Sequence, residues 1–262
     1  MDILYAVLIL GGIALLFAIA IAGISRKFAV RKNVMAEEVG KLLAGANCGA
    51  CGRPGCSAFA ESLVAGKVQL SACPVTAREK KTEIAKILGD GATVGDSFKV
   101  VVACSGGADC KDKYDYQGYG DCMSVELLAG GRKACATGCI GSSKCSNSCA
   151  YGAIKLKKEG YPDVDPALCV GCGNCIFVCP KKIIKRVPQS AVVYLACSSH
   201  GRGRDVKEIC AHGCIGCSLC KKNCTAGAIE MVDNLPLIDY AKCNGCLTCI
   251  SKCPQGSIKM CK

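Results

Sequence analysis

Residues 169–180 read CVGCGNCIFVCP, and residues 243–254 read CNGCLTCISKCP. Both stretches follow the pattern C-x2-C-x2-C-x3-C-P, which holds four thiols in one short loop. Thiolate sulfur is the usual ligand of iron–sulfur clusters, and a loop of this length reaches three corners of a cubane cluster but not the fourth. The pattern therefore predicts [4Fe–4S] ligation, with the last cysteine of each run directed to a second cluster.

Each run is the second half of a larger internal repeat. CATGCIGSSKCSNSCAYGAI at residues 135–154 recurs 75 residues later as CAHGCIGCSLCKKNCTAGAI at residues 210–229. An aspartate, Asp165 or Asp239, precedes each C-x2-C-x2-C-x3-C-P run by four residues. Paired runs that exchange their fourth ligand are the arrangement of two-cluster bacterial ferredoxins, so the repeat predicts two tandem ferredoxin-like units.

The exchange of fourth ligands assigns cysteines to clusters. The predicted quartets are Cys149, Cys169, Cys172 and Cys175 in the first unit, and Cys214, Cys217, Cys220 and Cys253 with Cys224, Cys243, Cys246 and Cys249 in the second. The set Cys139, Cys145 and Cys179 is one ligand short, because Ser142 occupies the position of Cys217. Cys135, one helical turn before Cys139, is the first candidate for that corner. Cys122, Cys110, ligation by the serine oxygen and a three-iron cluster are the open alternatives.

A separate quartet precedes the repeat. Residues 47–56 read NCGACGRPGC and Cys73 follows, so Cys48, Cys51, Cys56 and Cys73 are spaced C-x2-C-x4-C-x16-C. Glycines in the loop let the backbone approach a cluster and offer N–H groups to its sulfides. The sequence predicts a further [4Fe–4S] cluster here, with a four-cysteine zinc site as the alternative. Residues 57–65 and 76–88 are predicted to be helical.

Composition narrows the class of protein. The chain has 262 residues, 26 cysteines, two histidines and no tryptophan. Disulfide-rich folds are usually much shorter and secreted, and so few histidines argue against imidazole-ligated zinc or haem. The formal charge of +12 counts each cysteine as neutral, whereas five clusters on thiolates would contribute about −10 to −15. Most lysines are thus interpreted as charge compensation, with a basic docking face for an acidic electron donor as the alternative. Nucleic acid is not expected as a partner.

The first residues predict a membrane anchor. Residues 4–24 form 21 consecutive positions without a charge, which is long enough for a helix to cross the hydrocarbon core. Four basic residues follow between positions 26 and 32, so the positive-inside rule predicts a single-pass protein of the cell (inner) membrane with its iron–sulfur domains in the cytoplasm. A cleaved signal peptide is the alternative, although its basic residues would precede the apolar run.

Six cysteines have no firm role in these quartets: Cys104, Cys110, Cys122, Cys197, Cys210 and Cys261. VVACS at residues 101–105 and YLACS at residues 194–198 predict matching buried strands, in which a cysteine is ordinarily a small buried apolar side chain. Because residues 122 and 135 are as far apart as residues 197 and 210, a sixth cluster drawn from this set is an alternative. The aromatic and polar residues 113–122 are expected to pack over the first unit.

The predicted architecture is α+β with five parts. A transmembrane helix occupies residues 1–25, and a small helical [4Fe–4S] domain occupies residues 26–90. A linker is expected at residues 91–99, where glycines are frequent. The first ferredoxin-like unit spans residues 100–189 and the second spans residues 190–262, which gives at least five [4Fe–4S] clusters in all.

The order of these parts resembles the RnfB family, the B subunits of Rnf complexes, over essentially the whole chain. The features that carry the resemblance are the apolar N-terminus, the quartet at residues 48–73 and the duplicated ferredoxin runs, as in the longer members found in anaerobic bacteria. The resemblance implies an electron-transfer subunit that accepts electrons from reduced ferredoxin and relays them towards NAD⁺ reduction, coupled to Na⁺ or H⁺ export. It also implies the A, C, D, E and G subunits of Rnf as partners. No G-x-G-x-x-G or Walker motif occurs, so the NAD and flavin sites are expected on these other subunits.

Two other functions fit the residues alone. A membrane-tethered polyferredoxin that serves another oxidoreductase, such as a hydrogenase, would need the same runs. A structural zinc-and-thiol protein would have no redox role, and its metal content would distinguish it from an iron–sulfur protein.

Overall fold

The computed structural model describes residues 2–27, 33–89 and 98–261. The predicted linker at residues 91–99 falls almost entirely outside these ranges. The first element is helix α1 (Asp2–Lys27), which contains the uncharged run. Within the described ranges, no helix combines the length and the hydropathy that a membrane crossing requires.

A small helical domain follows. It contains α2 (Val34–Leu42), α3 (Cys56–Val64), a 3-10 turn (Leu70–Ala72) and α4 (Arg78–Leu88), which confirms the two helices predicted at residues 57–65 and 76–88. The Asn33 side chain caps α2 by accepting from the Met35 N–H at 3.1 Å. Apolar residues spaced along α2, α3 and α4, among them Val39, Phe59 and Ile84, form one buried core.

The first ferredoxin-like unit is organised by two antiparallel strand pairs. Strand β1 (Phe98–Val102) pairs with β4 (Ile184–Pro188), and β2 (Ile154–Leu156) pairs with β3 (Pro162–Val164). Between them lie a 3-10 turn (Gly107–Asp109) and the short helices α5 (Cys122–Leu127), α6 (Lys144–Asn147) and α7 (Asn174–Phe177).

The second unit repeats this topology. Strand β5 (Val193–Leu195) pairs with β8 (Ile258–Met260), and β6 (Ile229–Val232) pairs with β7 (Leu235–Ile238). Its helices are α8 (Gly203–Ile209), α9 (Leu219–Lys222) and α10 (Thr248–Ser251). The mixture of helices and strands and the repeated strand-pair topology agree with the predicted duplication. Strands β1 and β5 match as predicted, but each ends two residues before its cysteine, so Cys104 and Cys197 lie just beyond the sheet.

The four cysteine runs share one local backbone conformation. In each run, the residue before the short helix has a positive φ: Ser143, Gly173, Ser218 and Leu247. Gly173 is the one glycine among them, and an added Cβ there would meet the guanidinium of Arg186, the movable end of a flexible side chain. The run that contains Ser142 thus keeps the same shape as the complete runs.

Candidate metal centres

The N-terminal group is the predicted quartet Cys48, Cys51, Cys56 and Cys73, of which Cys51, Cys56 and Cys73 pack in or against the helical core. The Asn47 side chain accepts from the Cys56 N–H at 2.8 Å, which fixes the loop against the start of α3. Cys73 is buried against the helical core. Lys81 of α4 is only 1% exposed. Burial lowers the pKa of its ammonium, and the negative charge of Cys73 opposes that change. A buried cation therefore lies beside this thiol group.

We call the predicted quartet Cys149, Cys169, Cys172 and Cys175 group 1B. Burial, followed by the charges of Cys169 and Cys172, raises the pKa of Cys175 to about 12. The Asp165 carbonyl accepts from the Cys169 N–H at 3.0 Å, which fixes the backbone turn at the start of this run. Burial, and then the charges of Cys48 and Cys172, raise the pKa of Tyr151. Thiols of both group 1B and the N-terminal group therefore act on the Tyr151 hydroxyl.

Group 1A consists of Cys122, Cys139, Cys145 and Cys179. These four thiols line one small, largely apolar cavity, together with Ser142. Burial, followed by the charges of Cys122 and Cys179, raises the pKa of Cys145 to about 11. The structure therefore brings Cys122 to the corner that Ser142 leaves without a thiol.

Cys122 reaches this cavity because its helix is tied to the ferredoxin run. Asp121 caps α5 by accepting from the Met123 N–H at 3.2 Å, and it also forms an ion pair with Lys144 at 3.2 Å. Although burial works against it, the Lys144 ammonium holds the pKa of the Asp121 carboxyl below its usual value. Since Lys144 immediately precedes Cys145, this pair holds the start of α5 over the cavity.

Cys135 does not lie at this corner. It lines a different cavity, between the two units, together with Cys104, Cys110, Cys197 and Cys210, which we call the seam group. The prediction that Cys135 completes the Cys139 set is thus corrected, because the chain from Cys135 to Cys139 turns the Cys135 side chain towards the second unit. Cys104 and Cys197, which the sequence suggested were ordinary buried side chains, belong to the same cavity.

The second unit contains two complete quartets. Group 2A consists of Cys214, Cys217, Cys220 and Cys253, and these thiols line one cavity. Group 2B consists of Cys224, Cys243, Cys246 and Cys249, and three of them pack around the core of this unit. Backbone N–H groups point at the sulfur atoms, from Ala228 to Cys224 at 3.4 Å and from Ser257 to Cys253 at 3.3 Å.

Cys261 is the cysteine that remains. It packs with Tyr194 and Tyr240 against a small core between the units, and burial raises the pKa of its thiol. Within the part of the chain that the structure describes, Cys169 is the one other cysteine that lines the cavity beside Cys261. Its position favours a packing role.

The donor sets fit iron–sulfur clusters chemically. Each group offers thiols, three of the groups line small apolar cavities, and several sulfur atoms accept backbone N–H groups, as cluster ligands do. Over residues 2–27, 33–89 and 98–261, no three His, Cys, Asp or Glu side chains converge closely enough to hold a single metal ion. Spacing alone raised a sixth cluster among the unassigned cysteines only as an alternative and placed Cys135 elsewhere, because the seam group draws its thiols from both units.

Three family models match the chain. Residues 43–75 match a family described as an Fe-S cluster, residues 138–183 match the 4Fe-4S dicluster domain, and residues 236–259 match the 4Fe-4S binding domain. These segments contain the N-terminal group, all of group 1B and most of groups 1A and 2B. Cys122 and all five cysteines of the seam group lie outside the three matches.

Relatives match over nearly the whole chain. The B subunit of an ion-translocating oxidoreductase complex from Methanosarcina acetivorans is 37% identical, over 91% of this chain and 90% of the relative. The B subunit of a Na⁺-translocating ferredoxin:NAD⁺ oxidoreductase complex from Acetobacterium woodii is 36% identical, over 92% of this chain and 73% of the relative. The proton-translocating counterpart from Clostridium ljungdahlii is 35% identical, over 88% and 82%. The chain therefore belongs to the RnfB family, the B subunits of ion-translocating oxidoreductase complexes.

Proposed function

We propose that this chain is the subunit through which a ferredoxin:NAD⁺ oxidoreductase complex takes electrons from reduced ferredoxin and passes them to its other subunits. The A, C, D, E and G subunits would complete the complex, and the electron flow would be coupled to Na⁺ or H⁺ export. One observation carries the proposal: the cysteines collect in groups, three of which line small apolar cavities while the others pack against the cores of the helical domain and of the two units. When bound, [4Fe–4S] clusters supply one-electron chemistry at low potential.

The ligand assignment is part of this proposal. The N-terminal group and groups 1B, 2A and 2B take the quartets that the run spacing predicts. Group 1A takes Cys122 as its fourth ligand, which the shared cavity with Cys139, Cys145 and Cys179 supports. With the seam group included, the chain would hold six clusters.

The second unit is the proposed docking face for the acidic donor. Cys217 and Cys246 are the two exposed cysteines of the chain, and both belong to this unit. Exposed lysines flank its cysteine runs, notably Lys221, Lys222 and Lys252. Cationic side chains beside accessible ligands would attract an acidic protein and speed its association.

The last part of the proposed function is that α1 anchors the protein in the membrane. It rests on the uncharged run at residues 4–24 and on the basic residues after it, which favour a cytoplasmic location for the cysteine groups. Large apolar side chains of α1, such as Leu10, Leu16 and Phe17, are more than 60% exposed. An apolar surface of this kind needs lipid or a partner to cover it.

Purification of the full chain from membranes in mild detergent, without oxygen, tests the proposal. We expect brown protein with about 24 iron atoms per chain for six clusters, recovered with flavin-containing membrane subunits and reducible by ferredoxin. Recovery with a hydrogenase instead would favour a polyferredoxin of another enzyme. Colourless, zinc-loaded protein would show that the chain is not an electron carrier.

The docking face has its own test. In the purified complex, the double change Lys221→Glu and Lys222→Glu should raise the ferredoxin concentration needed for half-maximal NAD⁺ reduction and weaken its dependence on salt. Lys80→Glu, on the exposed side of α4, is the matched control and should leave that concentration unchanged. Equal effects of both changes would argue against a donor site on the second unit.

A further inference from the structure

The seam between the two units has an approximate two-fold symmetry. Ala103-Cys104-Ser105 follows β1, and Ala196-Cys197-Ser198 follows β5. The Ser105 hydroxyl donates to the Ala196 carbonyl at 3.3 Å, and the Ser198 hydroxyl donates to the Ala103 carbonyl at 2.9 Å. These reciprocal hydrogen bonds place Cys104 and Cys197 at matched positions on opposite sides of the seam.

A second pair of cysteines obeys the same symmetry. Cys135 lies four residues before Cys139, and Cys210 lies four residues before Cys214. The Cys135 carbonyl accepts from the Gly138 N–H at 3.0 Å, and the Cys210 carbonyl accepts from the Gly213 N–H at 3.4 Å. Both turns face the same cavity, so each unit contributes two equivalent thiols to it.

The sulfur atoms of the first pair already accept hydrogen bonds from neighbouring ligand residues. The Cys139 N–H, from group 1A, donates to Cys104 Sγ at 3.4 Å. The Cys214 N–H, from group 2A, donates to Cys197 Sγ at 3.2 Å. Backbone N–H donors of this kind stabilise the thiolate form that a cluster requires. One hydrogen bond thus joins the seam group to each of its two neighbours.

Cys110 is the thiol that breaks the symmetry. It is 4% exposed, and its thiol contacts both Cys135 and Cys210. Its main chain is fixed across the seam by a β-bridge to Cys210, and Lys133 Nζ donates to its carbonyl at 2.9 Å. It follows the 3-10 turn Gly107–Asp109, for which the second unit has no counterpart among the described residues.

We infer that the seam binds one [4Fe–4S] cluster on Cys104, Cys135, Cys197 and Cys210, two ligands from each unit, with Cys110 beside it as a thiol that does not ligate. This inference rests on the proposed function, and it specifies the ligands of the sixth centre. The four thiols release their protons to solvent as the iron–sulfur bonds form. Because the ligands are divided equally, cluster binding also clamps the two units together.

Iron content and Mössbauer spectra of the full chain, reconstituted with iron and sulfide under anaerobic conditions, provide the test. Cys135→Ala and Cys197→Ala should each lower the iron content by about four atoms. Cys110→Ala should retain all the iron but alter the spectrum of one cluster. Cys261→Ala, at a half-buried cysteine elsewhere between the units, is the matched control and should change neither. Cys104→Ser and Cys210→Ser, which preserve side-chain size, replace any alanine variant that fails to fold.

Hydrogen exchange supplies a readout that is independent of iron. Loss of the seam cluster should increase exchange in β1 and β5, while the hairpins β2–β3 and β6–β7 keep their protection. If Cys110→Ala loses a cluster and Cys135→Ala does not, the ligand set is wrong. If none of the five seam variants changes the iron content, the seam site is refuted while the proposed function stands. If the wild-type chain takes up no iron, the proposed function itself fails.

Discussion

The two ferredoxin-like units have the same sheet topology, yet they complete their first cysteine groups differently. In the second unit, Cys217 lies within the run, between Cys214 and Cys220. In the first unit, Ser142 occupies that position, and Cys122 enters the cavity from a segment that the second unit lacks. The chain spans 31 positions from Cys104 to Cys135 but only 13 from Cys197 to Cys210. A ligand can thus move to another part of the chain while the local loop keeps its shape.

The difference has a structural consequence. In group 2A, the loop of the run itself holds Cys217 in place. In group 1A, the position of Cys122 depends on the contacts that hold α5. Asp121 and Lys144 provide one of these attachments. Lys181 provides another, because its Nζ contacts Glu126 of α5 at 2.7 Å and donates to the Gly130 carbonyl at 2.6 Å. Group 1A should therefore be more sensitive to distant substitutions than group 2A.

Removal of all iron should have the largest effect and should abolish the difference between the units. Cysteines make up much of each unit's core, so their cavities would collapse or flood without clusters. We expect the cooperative thermal transition of both units to disappear after anaerobic chelation, as measured by circular dichroism. The helical domain, with Phe59, Leu63 and Leu70 in its core, should retain part of its helix signal. An unchanged transition would mean that the clusters do not support the fold.

Moving the ligand tests the comparison directly. Cys122→Ala should remove about four iron atoms from the chain, and Cys217→Ala should do the same in the second unit. Ser142→Ala should remove none. The double change Cys122→Ala with Ser142→Cys should restore the iron, because it gives the first run the pattern of the second. Iron analysis and Mössbauer spectra measure all four variants. Loss of a cluster in Ser142→Ala would instead support ligation by the serine oxygen.

Much of this arrangement could be predicted from sequence, because each run is local. Three members of group 1B and three of group 2B follow from spacing within a few residues, and the exchange between paired runs supplies Cys149, Cys224 and the incomplete set around Ser142. The position of Cys122 does not, because a long loop can reach several corners. The equal spacing of residues 122–135 and 197–210 was misleading, since the structure pairs Cys135 with Cys210 but sends Cys122 elsewhere. The seam group depends on how the units dock, which no local pattern records.

Matched core substitutions should affect the two units equally. Ile154 and Ile229 follow the same Gly-Ala pair in each repeat and are 2% and 4% exposed. Each change to alanine should lower the free energy of unfolding by about 2–5 kcal/mol, seen as a lower urea midpoint of the holoprotein. Val232→Ala, at an exposed position, is the control. A much larger effect in one unit would show that the common topology does not imply a common distribution of stability.

The smallest expected effect distinguishes the two units once more. Asp121→Asn removes the charge that pairs with Lys144 but keeps the shape of the cap, so α5 should form and hold Cys122 less firmly. The position equivalent to Lys144 in the second unit is Leu219, which is uncharged and has no such attachment. Iron released to a chelator should therefore come slightly faster from group 1A, while release from group 2A stays unchanged. Because partly exposed ion pairs contribute little, Asp121→Asn should accelerate release far less than Cys122→Ser. If Asp121→Asn accelerated iron release from groups 1A and 2A alike, the Asp121 cap would act on both units rather than on Cys122 alone.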